Sequence, residues 1–311
     1  MSEALRRAVI EGGGEGAAAA LAFGSRCVGE DEGSRLWIHH RLAAMSEVHR
    51  RWLFPYASLG EDDRQFEAAV REGGRRWLRD ALALDRWEGA PIEEVVVEID
   101  EAQGVSAFLD REAIDLVVSQ RWRAEMAAWT TPVALVRGYE PVPEVDRMLV
   151  VMDAEAPEDR WAALMETAAV LARRWGAALD VMAMIYAPAL QRSTLVKRQL
   201  SKSRQALADE LEPAVQGRYD MVLDAAGMEG LEEIPQSVEV AVGDAAMVVG
   251  ERVGEQGIDL VVCGRGEGRR GTALGMSPMG MALVEGVRRH LVVVPPRHAD
   301  APLKRWRGHL A

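Results

Sequence analysis

Cysteine is nearly absent from this chain: 311 residues hold two, Cys27 and Cys263, far apart in sequence. Cys263 falls inside an apolar run, so both read as reduced, buried thiols rather than a disulfide, as expected in the cytoplasm. Long hydrophobic runs are absent too. No stretch approaches the roughly 20 apolar residues that cross a bilayer, so no membrane partner is expected. The start, Met1-Ser-Glu-Ala-Leu-Arg-Arg, lacks the basic-then-apolar plan of a secretory signal. Positive charge is also short: 37 Lys and Arg against 49 Asp and Glu give a formal net charge of -12. Such a chain offers poor footing for phosphate backbones, which excludes nucleic acid as the expected partner. Residues 298–311 form a short basic tail, the one local exception.

What the chain has in quantity is buried-strand sequence. The stretch Ile258-Asp-Leu-Val-Val-Cys-Gly-Arg-Gly-Glu-Gly is followed by Leu274-Gly-Met-Ser-Pro and by His290-Leu-Val-Val-Val-Pro-Pro. It predicts a strand, a glycine turn, a short helix and a second strand. Val-rich runs that do not alternate suit a parallel sheet covered on both faces. Glycines directly after a strand, with a helix start nearby, suit a phosphate cradle; they suit a tight turn equally well.

From the N-terminus, Ser2 is expected to cap a helix through Ile10. The Gly12–Gly16 cluster then ends that helix, and Ala17 to Phe23 is a short strand. A dinucleotide fingerprint must follow a strand and open a helix, so this order argues against one. Arg35 to Leu53 reads as an amphipathic helix whose Trp37 and Trp52 could face a partner. Its His39, His40 and His49 lack the Cys or carboxylate spacing of a zinc site. A helix over 61–86, a strand at 94–99, a helix over 101–113 and strands at 114–119 and 132–137 follow. The Pro-rich joint from Gly138 sets the domain boundary, giving domains at 1–138 and 145–297.

Beyond the joint, Arg147 to Asp153 is a strand ending in an acid, and a helix runs from Pro157 to Trp175 with charges placed as its dipole prefers. Leu179 to Ile185 is a strand. A helix from Leu195 is expected to stop at Pro213, leaving residues 214–235 as an acidic loop or lid. Val238 to Val242, Asp244 as a cap and a helix to Gln256 lead into the opening stretch. This alternation predicts an α/β fold of open parallel sheets with helices on both faces.

Residues 95–118 can be laid on 239–262 without a gap, at an offset of 144, and share the run Ile-Asp-Leu-Val-Val. The chain therefore reads as two copies of one unit. After that run the second copy has room for a glycine loop and a helix; the first has a short segment, 119–131, without glycine.

The second half, from Arg147 to Pro296, resembles a universal stress protein domain. The residues that carry the resemblance are Leu149 to Asp153, Val240 to Ala246, Ile258 to Gly266, Leu274-Gly275 and Leu291 to Pro295. The first half resembles the degenerate copy of tandem, E-type members. The resemblance implies two sheets of strand order 3-2-1-4-5, with the first copy lacking strand 1 because nothing precedes the expected first helix. A start codon placed too late would explain that gap. It implies ATP as a ligand of the second copy, with Asp153 on the nucleoside. The loop of Gly264, Arg265, Gly266, Gly268, Gly275, Met276 and Ser277 would lie on the phosphates. That loop departs from the family's Gly-x2-Gly-x9-Gly-(Ser/Thr): Gly264 to Gly266 is one residue short, Gly266 to Gly275 encloses eight residues, and Met276 stands in the hydroxyl position.

In open α/β sheets ligands bind where the strand order reverses, which puts Asp153 and Gly264 in one crevice. The resemblance further implies a cytoplasmic regulator, with the two halves pairing through their last strands or the chain forming a homodimer. A nucleotide-free interaction or chaperone-like module is the alternative. An enzyme is not expected, since no nucleophile elbow, His–Asp pair or placed cysteine stands out.

Overall fold

The computed structural model describes residues 5–12, 16–29, 33–42, 91–99, 102–138, 144–188, 197–228, 237–266 and 276–296, with single positions between 72 and 80 and at 234–235; for 40–42, 93–104 and 197–202 it describes the backbone alone. The chain divides into two compact units. One is built from Leu5–Gln120, the other from Arg121–Arg137 together with the chain from Val142 on.

In the first unit, β1 (Arg7–Gly12) is followed by α1 (Ala17–Val28), β2 (Arg35–Leu42), β3 (Ile92–Ile99), α2 (Ala102–Arg111) and β4 (Leu116–Ser119). The strands are parallel and lie in the order β3-β2-β1-β4. Strand 1 is thus present, and the expectation of a first copy without it is corrected. Ala8, Val9 and Ile10 are all at or below 1 % exposure. That continuous apolar run is covered on both faces, as a central parallel strand requires, and no helical stripe survives. The premise for a misplaced start codon falls with it.

The neighbouring assignments invert for related reasons. Ala17–Val28 is helix, not strand: its alanines are the best helix formers and poor strand formers. Arg35–Leu42 is strand, not helix, with Leu36 to His39 buried in succession. Trp37 is 4 % exposed and offers no partner surface; the rest of the expected helix, Trp52 included, lies outside the described residues. The Gly12–Gly16 cluster therefore follows a strand and precedes a helix, the reverse of the sequence expectation.

The second unit begins with a 3-10 turn (Ala124–Ala128) and β5 (Val133–Leu135). It continues through β6 (Arg147–Asp153), α3 (Glu158–Trp175), β7 (Ala178–Tyr186), α4 (Lys197–Ala226), β8 (Glu239–Gly243), α5 (Ala245–Gln256), β9 (Leu260–Gly264), α6 (Pro278–Gly286) and β10 (His290–Val294). The order is β5-β10-β9-β6-β7-β8. From β6 to β10 this is the parallel arrangement 3-2-1-4-5. β5 is added antiparallel along β10, with Leu135 opposite Leu291 and Val133 opposite Val293. That pairing places Arg121–Arg137 in this unit, upstream of the Pro-rich joint.

Asp244 caps α5 as expected, its Oδ1 accepting from Met247 N at 3.3 Å. One expectation about α4 is corrected. It does not stop at Pro213 but continues to Ala226, so residues 214–226 are neither loop nor lid. A proline inside a helix costs about 3 kcal/mol. Burial of Ala208, Tyr219, Val222 and Leu223 along the helix outweighs it.

Both copies tie strand 1 down in the same way. Asp115 Oδ2 accepts from the backbone N–H of Arg6 and of Arg7, each at 3.0 Å. Asp259 Oδ2 accepts from those of Asp146 and Arg147, at 3.0 and 3.2 Å. Arg7 Nη1 also donates to Glu112 O at 2.6 Å, and Arg147 Nη1 to Gln256 O at 3.4 Å. The internal repeat thus extends to β1 and β6, where sequence identity no longer reveals it.

Candidate functional site

In the second unit β6 has β7 on one side and β9 on the other, so the winding reverses between β6 and β9. Their last registered pair is Val151–Cys263; Gly264 ends β9 and Asp153 ends β6 just beyond it. Both lie at the carboxyl edge of the switch point.

Asp153 is half-buried and closes a tight turn. Its Oδ1 accepts from Glu155 N at 3.0 Å, and its carbonyl oxygen accepts from Ala156 N at 3.0 Å and from Trp161 Nε1 at 2.8 Å. The N-cap of α3 is Pro157, with no side-chain cap, so Asp153 shapes the turn and not the helix end.

Opposite it, the β9 turn is built on α6. A Cβ at Gly264 would meet nothing within 4 Å, so the backbone there faces open space. Gly266 has φ +65°, and a Cβ on it would sit 2.4 Å from Ser277 Oγ. Ser277 is the N-cap of α6: its Oγ accepts from Gly280 N at 3.1 Å, and its own N–H donates to Arg265 O at 3.1 Å. Gly280 is needed for that contact, because a Cβ there would lie 2.8 Å from Arg265 O.

Two of the expected site residues have other partners. Arg265 is 8 % exposed, and its Nη1 donates to Trp129 O at 2.8 Å and Met126 O at 3.3 Å. Burial lowers its pKa to about 10, which still leaves it cationic at neutral pH. The guanidinium thus fastens the 3-10 turn, and the Arg265 N–H donates to Val294 O at 2.8 Å. Met276 is fully buried, with Cε 3.3 Å from where a Gly280 Cβ would be. Gly268 and Gly275 lie outside the described residues, as do Arg269 and Arg270.

The residues that sequence reasoning missed are Arg218 and Trp161. Arg218, on α4, donates to Glu158 Oε1 and Ala154 O, both at 2.7 Å, and to Ala156 O; its guanidinium stacks 4.5 Å from the Trp161 ring centroid. Some 60 residues separate it from these partners, so no local pattern announces the cluster. Among the described residues no group of three or more His, Cys, Asp or Glu could hold a metal ion. His39 is 5 % exposed within β2, in register with Glu11 of β1; the side chains of His40 and His49 lie outside the described residues. No described helix is long and apolar enough to cross a membrane.

A parallel 3-2-1-4-5 sheet with a glycine turn after its fourth strand and an acid after its first defines a class of open, doubly wound α/β proteins. Within that class, residues 144–295 match the model of the universal stress protein family. Among solved structures, a universal stress protein from Archaeoglobus fulgidus is 11 % identical, with a TM-score of 0.55 over 93 % of this chain and 96 % of that one. A candidate universal stress protein from Pseudomonas aeruginosa is 13 % identical, with a TM-score of 0.53 over 94 % of both chains. Such coverage fits two units in tandem; at these identities it speaks to the fold. Among curated proteins none matches the sequence.

Proposed function

We propose that this chain is a nucleotide-responsive regulatory protein of the stress-protein type, and that ATP or a related nucleotide binds at the second unit's switch point. The carrying observation is the β9 turn at the switch point, where Gly264 faces open space and Gly266 takes a left-handed conformation. Asp153 would accept a hydrogen bond from the nucleoside. The backbone at Gly264 and the N–H of Gly266, with Gly268 and Gly275 of the same loop, would approach the phosphates, while the Arg265 N–H stays on Val294 O at 2.8 Å. Ser277 would act from the α6 end. Arg265 and Met276 contribute through the fold instead. The protein is taken to be cytoplasmic and non-enzymatic. Because β5 already lies along the edge of β10, a homodimer through that edge is disfavoured.

A second reading, a nucleotide-free interaction module, draws on the same loop. Arg265 is spent on two carbonyls, and a buried methionine stands where a hydroxyl would meet a phosphate. Equilibrium dialysis of ATP against wild type, Asp153→Ala and Gly264→Val separates the two. The nucleotide reading expects binding that weakens at least about tenfold in both variants. Absent binding, or binding indifferent to both substitutions, leaves the interaction module. Light scattering on the purified chain gives the oligomeric state, with a monomer expected.

A further inference from the structure

We propose that Arg218 is the positioning residue of the switch-point acid: it fixes the β6–α3 turn from which Asp153 meets a hydroxyl-bearing ligand, a nucleoside. The identity of that ligand rests on the function proposed above; the fixing of the turn does not.

Every part of the Arg218 side chain is used on one short stretch. Nε donates to Glu158 Oε1 and Nη1 to Ala154 O, both at 2.7 Å, while Nη2 donates to Ala156 O. Its face lies on Trp161, whose Nε1 donates to Asp153 O at 2.8 Å. The turn is thus gripped on both sides of Glu155, the residue whose N–H engages Asp153 Oδ1. With Oδ1 held, the carboxylate has one orientation, and Oδ2 is the oxygen left to accept from a ligand. A planar guanidinium with donors in a fixed fork can reach two carbonyls and a carboxylate at once; a lysine ammonium cannot. An arginine serving only to solvate α4 would not be 21 % exposed with its three nitrogens all engaged.

The test uses the full chain, wild type beside Arg218→Lys and Arg218→Gln. Two quantities are read: hydrogen exchange at residues 153–156 without ligand, and affinity for ATP against 2′,3′-dideoxy-ATP by equilibrium dialysis. Wild type is expected to prefer ATP by about tenfold, the worth of a hydroxyl bonded to a carboxylate. In both variants that preference should fall toward one, and exchange at 155 and 156 should rise about tenfold while the rest of β6 and α3 is unchanged. A preference retained in the variants, or absent from wild type, overturns the inference. Faster exchange throughout β6 and α3 also overturns it, since that marks a merely structural arginine. If wild type binds no ATP, the function proposed above fails by itself. The exchange arm then decides: acceleration confined to 153–156 upholds Arg218 as the fixing residue, and unchanged exchange overturns it.

Discussion

Asp115 Oδ2 receives the backbone N–H of Arg7 at 3.0 Å, and the repeated aspartate, Asp259, does the same for Arg147 at 3.2 Å. Each carboxylate also takes the preceding N–H, so one side chain satisfies two donors at the start of a central strand. Replacing Asp115 or Asp259 by alanine should cost about 1–3 kcal/mol, read as a lower urea midpoint. Asparagine, which keeps an acceptor oxygen, should recover part of the loss. Similar losses at the two positions would confirm that β1 and β6 are equivalent strands.

Arg265→Met should destabilise the second unit by about 2–4 kcal/mol, because the carbonyls of Trp129 and Met126 lose a buried donor. Nucleotide affinity, measured well below the unfolding transition, should change little. A variant that keeps its stability but loses affinity would put this guanidinium back on the phosphates.

His290 opens β10, and its Nδ1 accepts from Arg137 N at 3.1 Å. Burial first, and then the neighbouring Arg289, hold its pKa below the ordinary 6.5, with Asp259 opposing and Arg137 adding to the depression. The unfolded chain therefore takes up the proton at a higher pH than the folded one. The contribution to stability is complete above about pH 6.5 and is lost as pH falls below it. Protonation of Nδ1 also removes the acceptor for Arg137. Urea midpoints should thus decline from pH 7 to pH 5 in wild type, and less steeply in His290→Asn.

Gly266→Ala and Gly264→Ala should behave oppositely. A left-handed alanine costs about 1–2 kcal/mol, and at 266 its Cβ would also drive into Ser277. At 264 the Cβ has open space, and stability should change by no more than about 0.5 kcal/mol. Thermal melts of the pair check both expectations.

Cys27 and Cys263 are both fully buried, and burial pushes the Cys263 thiol up to about 12. Neither should react with a thiol reagent in the native protein at pH 8, and both should react in denaturant. Counting modified thiols by mass spectrometry before and after unfolding checks this.

Legibility in the sequence followed the kind of signal. Arg147–Asp153, Glu158–Trp175 and Leu260–Gly264 were readable because a doubly covered strand or a well-charged helix leaves its pattern in consecutive residues. So were the switch point and its two edge residues, Asp153 and Gly264. The first forty residues misled: Ala8–Ile10 is too short a run to tell strand from helix by period alone. In Ala17–Val28 the helix propensity of the alanines outweighs the strand-like look of a short apolar run.

By itself, the sequence determined the α/β alternation, the tandem repeat and the family of the second half, because these are written in contiguous stretches and a fixed offset. Only the tertiary structure decided that β1 fills the centre of the first sheet, that α4 runs through Pro213, and that Arg265 turns to Trp129 while Arg218 grips the Asp153 turn. Each of these outcomes depends on burial against residues distant in the chain. The free energy of such contacts exceeds the local preferences that a sequence displays.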